Sequence, residues 1–281
     1  MFTIHNLQPD VIEETATLGL GSNATVMLGR YDNRDVALKI YKSNDYATKV
    51  EALNEVSIYS RLKNQPHVVN CYGMYYRNGA PVLVLEKAQK SLYNVYREER
   101  VSRAQYNWPA IKDRAMQISF GLKSLHDINI SHGDVSSKNF LQFEDNVLKI
   151  SDMGYAQVIE NGFFYDPSCR CSLYAAAPDF LLTSKRSLST DIYSLGMVFL
   201  ELVKGGFAYT QQDLECFMVN NVMDTNTFVQ HILYGQRPSI PSEVPDYFAD
   251  IIRWCWIRET ERKKRPTIDQ VIERLEAWDV D

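Results

Sequence analysis

The string LGLGSNATV, residues 18–26, sets Gly19 and Gly21 at the end of a short β-prone run. Glycine has no Cβ, so its backbone N–H can come close to a phosphate oxygen. An ordinary hairpin turn would account for the same two glycines, and the loop alone decides nothing. The next predicted strand carries Lys39, in VALK. Strand side chains alternate, so the Lys39 ammonium shares a face with Ala37. A small residue beside an ammonium makes a slot for a flat base with phosphates beyond it. A lone lysine on a strand is otherwise a solvated edge residue. Further on, ISHGDVSSKN (130–139) and LKISDMGYA (148–156) hold Asp134, Asn139 and Asp152 in two short segments.

Such groups need elements to position them. RDVALKIY alternates, with Val36, Leu38 and Ile40 on one face and Ala37, Lys39 and Tyr41 on the other. PVLVLE is a continuous apolar run that fits a buried strand, and RNGA at 77–80 is the turn before it. A helix is predicted between these strands, around 47–63. From residue 109 the period changes. Ala115, Ile118, Leu122 and Leu125 recur at helical spacing after Pro109, and Ile192, Leu195, Phe199 and Leu202 do so before Gly205-Gly206. A last helix is predicted over 267–278, with Thr267 as its cap. The chain is β-rich first and helical afterwards, an α+β class with its change near 86–91.

The 281 residues are enough for two packed lobes, and 45% hydrophobic with 23% charged content fits a globular protein. A net charge of −5 argues against nucleic acid or an anionic membrane as partner. No run approaches the roughly 18 apolar residues of a membrane span, and MFTIHNLQPD lacks the layout of a secretory leader. Five cysteines without that leader read as reduced thiols in a cytoplasmic protein. Cys169 and Cys171 form a lone C-x-C without partners at metal-binding spacing and read as incidental thiols.

Together, the glycine loop, VALK, HGDVSSKN, SDMG and the later APD (177–179) resemble the signature of a eukaryotic-type protein kinase. The likeness runs from about residue 15 to 278. It implies the bilobal kinase fold over 1–281, with a small β-rich N-lobe (about 1–86), a hinge (about 86–91) and a larger helical C-lobe (about 92–281). It implies ATP and Mg²⁺ as cofactors and a protein as substrate. By the resemblance, Gly19 and Gly21 cover the phosphates, and Leu18, Val26 and Ala37 roof the adenine. Lys39 holds the α- and β-phosphates and is itself held by Glu55, while Glu51 is left on a solvated face. Leu85 is the gatekeeper, Glu86 to Ala88 offer backbone groups to the base, and Leu141 forms its floor. Asp134 orients the substrate hydroxyl, and Asn139 and Asp152 ligate magnesium. Asp191 binds the catalytic-loop backbone, and Asp179 pairs with Arg265.

The sequence departs from the family in places. Ala24 replaces the third glycine of the loop and Met153 the Phe of D-F-G. Gly133 stands where many members carry an Arg that grips a phosphate on the activation segment. That absence implies catalysis without phosphorylation between 155 and 176, and regulation through that segment or a protein partner. Lys138 is similar to the Arg of the tyrosine-kinase loop, whereas Ser172 lies where serine/threonine kinases place a Thr that contacts the catalytic loop. GQRP, CW and RPT, in that order, resemble the tyrosine-kinase and tyrosine-kinase-like groups. The reading is a tyrosine-kinase-like serine/threonine kinase with dual specificity open. The alternative is a pseudokinase scaffold that binds nucleotide without transferring phosphate. A kinase-like enzyme for a small molecule is disfavoured by the APD and RPT segments.

Overall fold

Five antiparallel strands begin the chain: β1 (Glu13–Leu20), β2 (Ala24–Tyr31), β3 (Arg34–Tyr41) and, after helix α1 (Tyr46–Arg61), β4 (Cys71–Arg77) and β5 (Ala80–Glu86). Their order in the sheet is β1-β2-β3-β5-β4. The computed structural model describes residues 7, 13–100, 106–168, 171–219, 222–258 and 264–280. Cys169 of the C-x-C pair lies outside them, as does most of the N-terminal stretch weighed as a leader.

Two tight turns set the register. Asn78 and Gly79 both have positive φ, 50° and 80°, between β4 and β5. Asp32 and Asn33, at 50° and 58°, do the same between β2 and β3. A two-residue hairpin of this hand needs left-handed backbone at both positions, which Asn, Asp and Gly adopt at least cost. β3 then divides as its alternation predicts. Val36 and Leu38 are buried with Tyr75, Val82 and Val84 on one face. Ala37, Lys39 and Tyr41 point to the other, where α1 packs with Ala52, Glu55, Val56, Ile58 and Tyr59 buried. Asp45 caps α1 by accepting the Thr48 N–H at 2.7 Å.

Beyond β5 the chain turns helical: β6 (Lys90–Ser91), α2 (Leu92–Arg100) and α3 (Trp108–His126) lead to three short strands, β7 (Ile130–Ser131), β8 (Phe140–Gln142) and β9 (Leu148–Ile150). The polar segments 132–139 and 151–156 are the connections that follow β7 and β9. Next come β10 (Gln157–Val158), β11 (Phe164–Tyr165), α4 (Pro178–Thr183), β12 (Lys185–Arg186) and α5 (Leu188–Lys204). Helices α6 (Gln211–Glu215), α7 (Thr225–Leu233), α8 (Asp246–Cys255) and α9 (Ile268–Glu276) complete the helical lobe.

α5 is the central post of this lobe. Ile192, Leu195, Phe199 and Leu202 are among its many buried residues, so it is apolar nearly all round. A capping box between Ser187 and Thr190 starts it, and Gly205, at φ 65°, ends it. Thr267 likewise caps α9 through the Gln270 N–H. Gly196 lets α8 approach, since a Cβ there would lie 2.7 Å from the Cys255 Cβ. Gly196→Ala should therefore lower the unfolding free energy by about 1–3 kcal/mol through overpacking, read as a reduced urea midpoint with an unchanged slope.

Candidate active site

Lys39 reaches across the space between the sheet and α1. Its Nζ lies 2.9 and 2.7 Å from the two Glu55 oxygens and 2.7 Å from Asp152 Oδ1. Glu55 is fully buried. Burial disfavours an ammonium, but Glu55 and Asp152 outweigh it and hold Lys39 cationic far above its ordinary range. Burial likewise pushes the Asp152 carboxyl up, but Lys39, with His132 and the Gly154 N–H, outweighs this and leaves it below the usual carboxylate range.

Two tyrosines complete this cluster. The Tyr41 hydroxyl donates to Glu55 Oε2, and the Tyr59 hydroxyl accepts the Asp152 N–H at 3.0 Å. Burial, and then the Glu55 charge, raise both phenols, so they stay protonated. Neither tyrosine was singled out from the sequence. Their spacing carried the signal: Tyr41 follows Lys39 by one strand period, and Tyr59 follows Glu55 by one helical turn. Glu51, assigned above to a solvated face, instead lines the cleft mouth with Gly21, Ala24, Val26, Lys39 and Asp152. It stands one helical turn before Glu55, on the same face of α1.

Asp152 has left-handed backbone, φ 61° and ψ 72°, a conformation Asp tolerates better than most residues. Met153 next to it is fully buried. On the facing side, Asn139 Nδ2 donates to the Asp134 carbonyl at 2.8 Å and to Asp134 Oδ2 at 2.9 Å. The Ser172 N–H donates to Asp134 Oδ1 at 3.1 Å. Ser151 ties the two segments together by donating its N–H and hydroxyl to the Asn139 carbonyl, at 2.8 and 2.9 Å.

Asp191, near the start of α5, organises the loop from below. Its carboxylate accepts the His132 N–H at 2.8 Å, the Gly133 N–H at 3.0 Å and the Ser131 hydroxyl at 3.1 Å. His126 Nε2 lies 3.1 Å away. His132 in turn donates from Nε2 to the Ser151 carbonyl at 2.9 Å and accepts the Asp134 N–H on Nδ1.

The remaining candidates lie on β1, β2, β3, β5 and β8 and in the connections after β1 and β5. Val26 is the cross-strand partner of Lys39, and Ala37 of Leu85. Gly19 pairs with Val26, and Leu18 sits in the register shift of β1, half exposed. Leu141 lies on β8, and Ala88 is half-buried in the connection after β5. The Glu86 N–H is committed to the Asn70 carbonyl at 2.9 Å, and its carboxylate to Asn70 and Lys149. The Gly21 N–H is spent within the loop on the Ala24 carbonyl, 2.9 Å away.

The protein kinase domain family matches residues 12–275. The chain belongs to that family. Curated relatives include a probable serine/threonine-protein kinase of Dictyostelium discoideum, 27% identical over 57% of this chain and 9% of that protein. The dual specificity protein kinase shkE of the same organism is 26% identical over 79% of this chain and 30% of its own length. The tyrosine-protein kinase hopscotch of Drosophila melanogaster is 24% identical over 76% and 17%. The chain thus spans less than a third of each of these relatives.

Two supports of this kinase domain lie outside the cleft. Asp179 faces Arg265 with both carboxylate oxygens, Oδ2 at 3.3 Å from Nη1. Ser172 reaches the catalytic loop through its backbone N–H, a contact that any non-proline residue could make. It therefore says nothing about which hydroxyl the domain accepts.

Burial pushes the Asp191 carboxyl up, but His126, His132 and the Gly133 N–H outweigh it and hold the group below its ordinary value. As pH falls, the unfolded chain takes this proton first. The stability it contributes is therefore full above the ordinary carboxylate value, about 3.9, and is lost as pH falls through the depressed native value. Asp191→Asn should lower the unfolding free energy at neutral pH by about 1–3 kcal/mol and shrink that acid-dependent loss. Urea unfolding followed against pH checks both.

Proposed function

We propose that this kinase domain is an active phosphotransferase that moves the γ-phosphoryl group of ATP, with magnesium, to serine or threonine hydroxyls of proteins. The observation that carries the reading is the shared position of Lys39, bonded at once to Glu55 and Asp152. A lysine so held presents a fixed positive charge at the cleft, which is what phosphates require. On this reading residues 1–281 form one kinase domain, with its lobes meeting at 86–91. Gly19 supports it too: a Cβ there would meet no protein atom within 4 Å, so packing does not demand the glycine. A phosphate lying under the loop would.

The roles follow from chemistry. Asp134 accepts or orients the proton of the attacking hydroxyl, and Asn139 and Ser172 hold its carboxylate in one orientation. Asn139 spends its amide N–H₂ on Asp134, which leaves its amide oxygen as the group that would ligate a cation. Among the described residues no three His, Cys, Asp or Glu side chains converge as a metal cage. Magnesium would instead rest on Asp152, Asn139 and phosphate oxygens, as this ion commonly does. When bound it neutralises phosphate charge. Leu18, Val26, Ala37, Leu85 and Leu141 supply apolar contact to the adenine, and the hinge around Glu86 and Ala88 supplies polar contact. With the Glu86 N–H engaged by Asn70, the polar contact falls to the other backbone groups of 86–88.

The relatives divide among serine/threonine, dual-specificity and tyrosine kinases, and the GQRP, CW and RPT pattern supports the tyrosine-kinase-like branch. Among the described residues no helix is long and apolar enough to cross a membrane. The proposed substrates are proteins, and the proposed regulator is a protein partner.

Purified protein incubated with Mg-ATP and generic protein substrates should transfer phosphate, and Asp134→Asn should lower kcat by at least about a hundredfold. Phosphoamino-acid analysis should find phosphoserine and phosphothreonine. Magnesium-dependent nucleotide binding with no transfer would establish the scaffold alternative instead. Single changes at Tyr165, Ser168, Ser172 and Tyr174 should leave dephosphorylated protein active.

A further inference from the structure

Arg186 lies on β12, outside every segment assigned a role above, and its side chain is 3% exposed. A buried guanidinium is costly unless its donors are met. Nε donates to Asp166 Oδ2 at 2.7 Å, and Nη1 donates to the Gly133 carbonyl. The Phe180 ring centroid lies 4.6 Å from the guanidinium carbon, closing the site with an aromatic face.

The neighbouring backbone is arranged to bring these groups together. β11 pairs with β12 through Phe164 opposite Arg186 and Tyr165 opposite Lys185. The Asp166 N–H then donates to the Ser184 carbonyl at 2.8 Å, which fixes Asp166 beside the guanidinium. Gly133 has φ +76°, and a Cβ there would lie 2.4 Å from Arg186 Nη1 and 2.8 Å from the Tyr155 carbonyl oxygen. Gly133 and Arg186 are therefore coupled choices. The missing side chain in the catalytic loop is the space through which an arginine from a distant strand reaches the same backbone.

Gly133 immediately precedes Asp134. Its N–H is held by Asp191 and its carbonyl by Arg186. The segment carrying Asp166 continues to Ser172, whose N–H touches Asp134 Oδ1. One guanidinium thus connects the loop bearing Asp134 to the segment that packs against its carboxylate. We propose that Arg186 is a positioning residue for Asp134, and that the Asp166 carboxylate is a built-in anion holding the 155–176 segment in place of an added phosphate. This rests on the phosphotransferase reading and supplies the residues that make it independent of phosphorylation.

The test compares dephosphorylated wild type, Arg186→Ala, Arg186→Lys and Asp166→Asn by two readouts. Hydrogen exchange at 157–168 and 171–176 measures the anchor directly, with or without activity. Steady-state phosphotransfer measures its consequence. Arg186→Ala and Asp166→Asn should speed exchange in these segments, and should lower kcat by about tenfold or more with KM for ATP changed less than about twofold. Arg186→Lys keeps the charge without the fork and should recover only part of kcat. Unchanged exchange in both variants, or a kcat loss that merely follows the fraction unfolded, overturns the proposal. Should Arg186→Ala not fold, Asp166→Asn decides by the same criteria. A wild type without phosphotransfer defeats the proposed function, and the exchange measurement then still decides whether the anchor exists.

Discussion

The contact on which the cleft depends is the sharing of one ammonium between two carboxylates. Lys39 belongs to the sheet, Glu55 to α1 and Asp152 to the turn after β9. Lys39 and Glu55 are largely buried charges, which are tolerated only when paired and hydrogen-bonded, so the sheet and α1 each need the other in place, and the more exposed Asp152 joins the turn to them. Tyr41 and Tyr59 add to that requirement: one supports the Glu55 carboxylate, the other the Asp152 backbone. An outward shift of α1 would leave a buried cation short of one carboxylate, and the Asp152 N–H without its acceptor. The position of the helix and the conformation of the turn are thus one variable rather than two.

A second buried carboxylate does for the helical lobe what Lys39 does for the cleft. Asp191 stands on the most deeply buried helix and gathers the backbone of residues 132 and 133. His132 passes that order on to the segment before Asp152 through the Ser151 carbonyl. Asp134 is consequently aimed from several sides: by Asp191 through its backbone, by Asn139 and Ser172 through its carboxylate, and by Arg186 through the preceding carbonyl. Little of this is chemistry in itself. It is the preorganisation that gives a single carboxylate a fixed task.

Much of this is legible in the sequence, and the reason is locality. The faces of β3 follow from alternation, the 77–80 turn from Asn-Gly, the end of α5 from Gly205 and the start of α9 from Thr267. Of the site residues that the resemblance picks out, Lys39, Glu55 and Asp152 are joined by direct contacts, Gly21 and Val26 line the same cleft mouth, and Asn139 bonds Asp134. The readings that fell short concern contacts between distant parts of the chain, or backbone atoms. Arg186 meets Gly133 across a separation that no periodic pattern spans. Gly133 looked like a loss because its compensation lies on another strand. Ser172 makes the expected contact with the catalytic loop, but through its N–H. Glu51 shares its face of α1 with Glu55 by helical spacing, so its place at the cleft mouth is legible once Glu55 is paired with Lys39.

The central claim is that Asp152, held by Lys39 and Tyr59, is poised to receive a cation together with a nucleotide. Calorimetric titration of ATP into the wild type and Asp152→Asn, each with magnesium and with chelator, tests it most directly. The account predicts that magnesium strengthens ATP binding to the wild type and that Asp152→Asn, still folded, loses this dependence. ATP binding that is indifferent to magnesium in the wild type, or equally magnesium-dependent in Asp152→Asn, would contradict it.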